Sequence, residues 1–188
     1  MKEYGKEWKW KKLFKEEKMK SFPKLIQTGL RKIDLKASKG GFESMYLFGP
    51  TGVGKTFKAC QNALEAMKWD FMQGKITTCG FYNVPNLLLR IKNTFSKDAV
   101  ESEMAVYKEL RDYSYLILDD LGVEKNSEWS FQTLYVIISY RYDNMLPIII
   151  TSNYSLEELA VKMGQERITS RIGQMCKIEG VENIDLRK

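Results

Sequence analysis

Eight consecutive residues, Gly49-Pro50-Thr51-Gly52-Val53-Gly54-Lys55-Thr56, fulfil the pattern G-x-x-x-x-G-K-[ST] within a chain of 188 residues. The chemistry such a run performs is phosphate binding. Its glycines let the backbone curl so that successive N–H groups converge on an anion at a helix N-terminus. Lys55 is spaced to reach the β- and γ-phosphates of a nucleotide, and the Thr56 hydroxyl to ligate Mg²⁺. A chance glycine-rich turn needs no particular neighbours. This run follows the apolar segment Met45-Tyr46-Leu47-Phe48 and opens a helical pattern at residue 55, the context that gives the motif its meaning.

A phosphate site of this kind needs a second strand that brings carboxylates to the metal. Tyr115-Leu116-Ile117-Leu118-Asp119-Asp120 supplies four apolar residues and then two acids at the C-terminal end, where ligands bind in open α/β sheets. Asp119 is placed to hold Mg²⁺ through water, and Asp120 to polarise an attacking water as general base. The alternative for Asp120 is a cap on the turn Leu121-Gly122, which would leave Glu124 as the next candidate base. Thr151-Ser152-Asn153 ends another apolar run. An amide at Asn153 can orient the water and sense the γ-phosphate, or serve only the turn. Arg167 and Arg171 lie four residues apart, on one helix face. Arg171 can act as an arginine finger on a neighbouring subunit, or belong to a salt-bridged surface helix.

Composition narrows the options. The chain has no histidine, which excludes Ser-His-Asp and Cys-His nucleophile pairs, His-ligated metals and imidazole relays. What remains is carboxylates, lysines, arginines, hydroxyls and backbone amides, a set that favours phosphate chemistry over acyl transfer. Cys60, Cys79 and Cys176 are scattered, with no CxxC pair, which fits buried thiols in a reducing compartment. No apolar run approaches the roughly 18 residues that cross a bilayer, and the N-terminus lacks a secretory or transit pattern. A cytoplasmic protein without a membrane partner is expected.

The elements that must position these groups follow from hydrophobic pattern. Short β-branched runs at 45–48, 76–84, 115–118, 147–150 and 177–178 alternate with helical candidates at 55–73, 85–95, 99–112, 129–144, 155–163 and 165–173. Strands that are apolar on both faces and separated by helices predict a parallel sheet between two helix layers, an α/β three-layer sandwich.

The charge is uneven. Residues 1–24 hold nine lysines against four glutamates, leaving the rest of the +6 chain at only +1. The aromatic pairs Tyr4–Trp8 and Trp10–Phe14 within that segment have helical i,i+4 spacing. This basic aromatic arm suits nucleic acid, a groove on a partner protein, or simple packing against its own domain. Pro23 restricts the residue before it and marks the division between an arm, 1–24, and a core domain, 25–188.

At this point the segments Gly49–Thr56, Phe81-Tyr82-Asn83-Val84-Pro85-Asn86-Leu87-Leu88, Leu116–Lys125, Tyr140-Arg141-Tyr142, Ile150–Asn153 and Glu166–Arg171 resemble, in order, the AAA+ ATPases of the DnaC/IstB type. That family comprises bacterial and phage replicative-helicase loaders and the ATPase subunits of one class of transposon. The resemblance implies a P-loop core with strand order 5-1-4-3-2, and the few residues after Arg171 lead us to expect no sizeable C-terminal lid. It implies ATP and Mg²⁺ as cofactors, with Lys55 and Thr56 at the nucleotide, Asp119 and Asp120 at metal and water, Asn153 as sensor and Arg171 acting in trans. Relatives often carry Glu where Asp120 stands, and the shorter acid points to slow, assembly-dependent hydrolysis. A replicative DNA helicase, single-stranded DNA and further copies of the chain are the implied partners. DNA contacts would fall in the insertion 85–112, on Arg90, Lys92 and Lys97 with Phe95 for stacking, and ordinary surface charge is an equal account of those cations. A transposition helper ATPase is the same-fold alternative, and a nucleotide-gated DNA scaffold with little hydrolysis is another.

Overall fold

Successive residues of the apolar runs feed different helix layers. Tyr46, Leu116, Leu118, Ile148 and Ile150 join one core cluster, while Met45, Leu47, Tyr115, Ile117 and Ile149 join the other. This is the period-2 alternation of strands buried on both faces. The computed structural model describes residues 22–23, 42–124 and 127–181, and the arm segment 1–21 lies outside them. Eleven elements are described: β1 (Met45–Phe48), α1 (Lys55–Met72), β2 (Cys79–Asn83), α2 (Val84–Asn93), α3 (Glu103–Asp112), β3 (Tyr115–Leu121), α4 (Glu128–Asp143), β4 (Ile148–Ser152), α5 (Leu156–Met163), α6 (Glu166–Met175) and β5 (Lys177–Gly180). All strand pairs are parallel, in the order β2-β3-β4-β1-β5. Read from the other edge, that is the 5-1-4-3-2 order the resemblance implied.

Helix α1 covers one face of the sheet through Ala59, Cys60, Ala63, Leu64 and Met67. Small residues there let the helix approach closely. Phe22, counted with the arm by sequence, is 2% exposed in this same layer and meets Phe81 edge-on. Helices α2 to α6 cover the opposite face. The three cysteines are free and buried, as expected. Among the described residues no helix is long and apolar enough to cross a membrane.

Element boundaries move by a few residues, each for a local reason. Ser102 accepts a hydrogen bond from the Ala105 amide at 3.2 Å and starts α3 four residues later than the apolar pattern suggested. Ile76, placed in a strand by its β-branched side chain, is 84% exposed, and pairing begins at Cys79. β3 continues to Leu121, so both aspartates belong to the strand.

One buried cation ties the base of this face together. Arg141 on α4 is 1% exposed. Its guanidinium donates to the carbonyls of Leu110 and Tyr113 at 3.2 Å each, Ser114 at 3.1 Å, and Pro147 at 2.7 and 3.2 Å. Burial lowers its pKa to about 10, so it remains charged at neutral pH. The carbonyls belong to the end of α3, the approach to β3 and the approach to β4. Replacing Arg141 by Met would keep the volume and strand all four acceptors in a dry site, so we expect a loss of about 3–5 kcal/mol in denaturant unfolding. A loss below about 1 kcal/mol would mean that these carbonyls find water instead.

Candidate nucleotide site

β1 delivers the phosphate-binding loop and α1 receives it. Gly49, Gly52 and Gly54 sit at φ +146°, +95° and +90°, backbone that residues with a Cβ adopt only under strain. Gly54 caps an 18-residue helix whose first turn contains no acidic residue. The partial positive charge of that helix end is therefore unanswered by any acid of the first turn, and a cation, Lys55, is added to it. The donor set fits an anion of high charge.

The Lys55 side chain is buried. Its Nζ donates to the carbonyls of Gly49 at 2.7 Å and Pro50 at 2.8 Å, and to Asn153 Oδ1 at 2.9 Å. The sequence spacing of 98 residues between Lys55 and Asn153 thus closes to a hydrogen bond. Asn153 follows β4, which lies beside β1 with Phe48 opposite Ser152. The amide expected to sense a γ-phosphate is held against the lysine expected to bind it.

Across the sheet, Thr56 Oγ1 donates to Asp119 Oδ1 at 2.8 Å, and Thr151 Oγ1 donates to the same oxygen at 2.7 Å. Asp119 is buried, and burial pushes its pKa up. The charge of Asp120 adds to the rise, whereas the two hydroxyls and the Lys55 charge oppose it. A hydroxyl that donates its proton to a carboxylate keeps its lone pairs free, so Thr56 and Asp119 can together hold Mg²⁺. Among the described residues no group of three or more acidic, Cys or His side chains forms a metal cage. A cation here would complete its shell with water and phosphate oxygens, as Mg²⁺ does.

Asp120 adopts φ +61°. Its carboxylate accepts from Asn83 Nδ2 at 3.1 Å, and its amide donates to Thr151 Oγ1 at 3.0 Å. The turn continues into Gly122 at φ +92°, where a Cβ would lie 2.8 Å from Leu159 Cδ1. Glu124, the alternative base, turns back to accept from the Gly122 amide at 2.9 Å and is itself buried, with its pKa pushed up by that burial. Asn83 and Thr151 were given no role by sequence. Their signal was position: each stands at or next to the C-terminal end of a parallel strand, as Asp119 does.

The remaining candidates lie apart from this cluster. Arg171 on α6 stacks over the Tyr135 ring at 4.6 Å, with Tyr142 at 5.7 Å, and its Nη1 reaches the Arg167 carbonyl at 3.4 Å. Its Nε is buried without a hydrogen-bond partner. Arg90 is engaged by Glu101 at 2.7 and 2.8 Å and by Glu109 at 2.6 Å, whereas Lys92 and Lys97 are exposed. Phe95 is half-exposed and edge-on to Trp129. An open cleft of about 870 Å³ runs between Leu89, Arg90 and Val100.

For Lys55→Ala we expect ATP-analogue affinity to fall about ten- to a hundredfold in a fluorescence titration, from the loss of one charge-assisted contact to phosphate. Unchanged affinity would remove Lys55 from the site.

Comparison with known proteins gives this geometry its setting. YqaM of Bacillus subtilis is 27% identical over 139 residues, covering 71% of this chain and 41% of that protein. The chromosomal replication initiator protein DnaA of Leptospira biflexa is 28% identical over 156 residues, covering 79% of this chain and 33% of that one. The chain therefore spans less than half the length of these curated relatives. Among solved structures, the DnaC helicase loader is similar at 26% identity and a TM-score of 0.62, with 84% of this chain and 86% of that chain aligned. A model of the IstB-like ATP binding proteins matches residues 10–183, and the chain belongs to that family.

Proposed function

We propose that this protein is a Mg²⁺-dependent ATPase that assembles on DNA and loads or remodels a replicative DNA helicase. The observation that carries the ATPase reading is the meeting of Lys55, Asn153, Thr56, Asp119 and Asp120 at the carboxyl ends of β1, β3 and β4. The helicase reading is supported by similarity to the DnaC helicase loader over most of both chains.

Each residue then has a task. The loop amides and Lys55 bind the β- and γ-phosphates. Thr56 and Asp119 would hold Mg²⁺, which neutralises charge on the phosphate oxygens. Asp120 accepts a proton from the attacking water at a carboxylate oxygen, with Asn83 steadying its other end. Asn153 reports the γ-phosphate through the ammonium it shares. Arg171 leaves its tyrosine contacts to meet the phosphates of a neighbouring subunit. Arg90 would need to exchange its glutamates before touching DNA, which leaves Lys92 and Lys97 as the readier contacts.

Asp120→Asn separates binding from chemistry. The amide keeps the shape and tolerates the left-handed backbone but accepts no proton. We expect ATP affinity within about threefold of wild type and hydrolysis reduced by roughly 10² or more. Hydrolysis at the wild-type rate would return Asp120 to the role of a cap.

Mixing Arg171→Ala with Lys55→Ala protein tests the finger. Some mixed interfaces pair an intact phosphate loop with an intact arginine, so activity should partly return. No rescue in assemblies shown to be mixed would place Arg171 outside the site. The family match also supports a transposition helper ATPase. Capture from host lysate with ATP and then ADP distinguishes them: a hexameric helicase supports the first reading, a transposase the second.

A further inference from the structure

In an unbroken strand Asp119 and Asp120 would project from opposite faces of the sheet. β3 is broken at that point. Leu118 pairs with Ile150 and Leu121 pairs with Ser152, so three steps on β3 are matched by two on β4. The surplus residue makes a bulge, and a bulge redirects side chains next to functional sites. Asp120 takes up the surplus at φ +61°, a left-handed conformation in which a residue with a Cβ is strained unless its surroundings enforce it.

Two neighbouring hydroxyls of β4 enforce it. Thr151, 0% exposed, accepts from the Asp120 amide at 3.0 Å and gives its own proton to Asp119 Oδ1 at 2.7 Å. Ser152, also 0% exposed, donates to the Leu121 carbonyl at 2.7 Å and accepts from the Tyr154 amide at 3.1 Å. The polar groups on either side of the bulge are thereby answered, at a place where Thr151 is closed to solvent. A hydroxyl has one proton and two lone pairs, so Thr151 can serve both neighbours in only one sense: donor to the carboxylate, acceptor from the amide.

We propose that Thr151 is a positioning residue for ATP hydrolysis, using one hydroxyl to fix both the metal-binding carboxylate of Asp119 and the backbone turn that aims Asp120. The proposal rests on the roles given above to those two acids. It makes the metal position and the base position interdependent, because a χ1 rotation of Thr151 that moves Oγ1 surrenders both hydrogen bonds together. Neither acid has to be contacted by nucleotide for the arrangement to exist; it is built into β3 and β4.

Three full-length variants test this, each followed by the hydrogen-exchange rate of the Asp120 amide in the free protein, by Mg²⁺ titration of ATP-analogue binding, and by hydrolysis. Thr151→Val preserves shape and removes the hydroxyl. We expect exchange at Asp120 to quicken at least about tenfold, the Mg²⁺ midpoint to rise roughly tenfold, and hydrolysis to fall by more than binding does. Thr151→Ser keeps the hydroxyl and deletes a methyl group. It should melt at lower temperature yet retain near-wild-type exchange, Mg²⁺ midpoint and hydrolysis. If Thr151→Val leaves all three readouts unchanged, the proposal is wrong. If Thr151→Val does not fold, Thr151→Ser decides alone: loss of Mg²⁺ dependence in the serine variant would show that packing of the methyl group matters and the hydroxyl does not. Asp119→Asn, measured alongside, separates this proposal from the reading beneath it. Wild-type Mg²⁺ dependence in Asp119→Asn would overturn the metal site itself, whereas its loss there and retention in Thr151→Val would overturn only the role of Thr151.

Discussion

One carboxylate oxygen joins the parts of this site. Asp119 Oδ1 takes hydrogen bonds from Thr56 at the start of α1 and from Thr151 on β4, while Asp119 itself sits on β3. Three elements far apart in sequence therefore converge on one buried atom. A buried carboxylate is costly unless its charge is answered, and here two hydroxyls and the nearby Lys55 charge answer it. The register of β3 against β4 and the docking of α1 on the sheet both have to be right for those donors to arrive. A nucleotide or metal ion held here would inherit its geometry from that requirement.

Four cations show how differently this fold treats positive charge. Arg141 is wholly enclosed and satisfied by the carbonyls of four residues, which makes it a structural tie. Arg90 is neutralised by two glutamates on the α2–α3 side. Lys55 sits at the positive end of α1, where it donates to two loop carbonyls and an amide oxygen while its charge also answers the Asp119 carboxylate. Arg171 has ring faces and one long contact, with its Nε unanswered. An anion can compete for Arg171, because π-faces compensate a charge less completely than an anion does.

Much of the site was legible from residue order. The run Gly49–Thr56 works locally: glycines, lysine and threonine at fixed offsets between a strand and a helix build the loop without help from elsewhere. The apolar runs before Asp119 and Asn153 announced strands and put these residues at or just past their C-terminal ends. Less legible were Asn83 and Thr151, whose residue types are ordinary at strand ends and turns and carry no chemical signature alone. The engagement of Arg90 by Glu101 and Glu109 was not legible either, since those partners come from across a loop that pattern cannot close. Arg171 likewise gave its helix face by spacing, but nothing in the sequence marked Tyr135 and Tyr142 as its neighbours.

The amino-acid order by itself determined the parallel three-layer architecture and the phosphate loop, because both arise from periodicity and from contacts within a few residues. Only the tertiary structure decided that Asp119 and Asp120 occupy a bulge, that one threonine hydroxyl serves both, and that Lys55 and Asn153 touch. Those pairings span 31, 32 and 98 positions. They depend on strand register, where a slip of one residue turns every side chain to the opposite face, and in strands apolar on both faces the residue pattern does not choose between those registers.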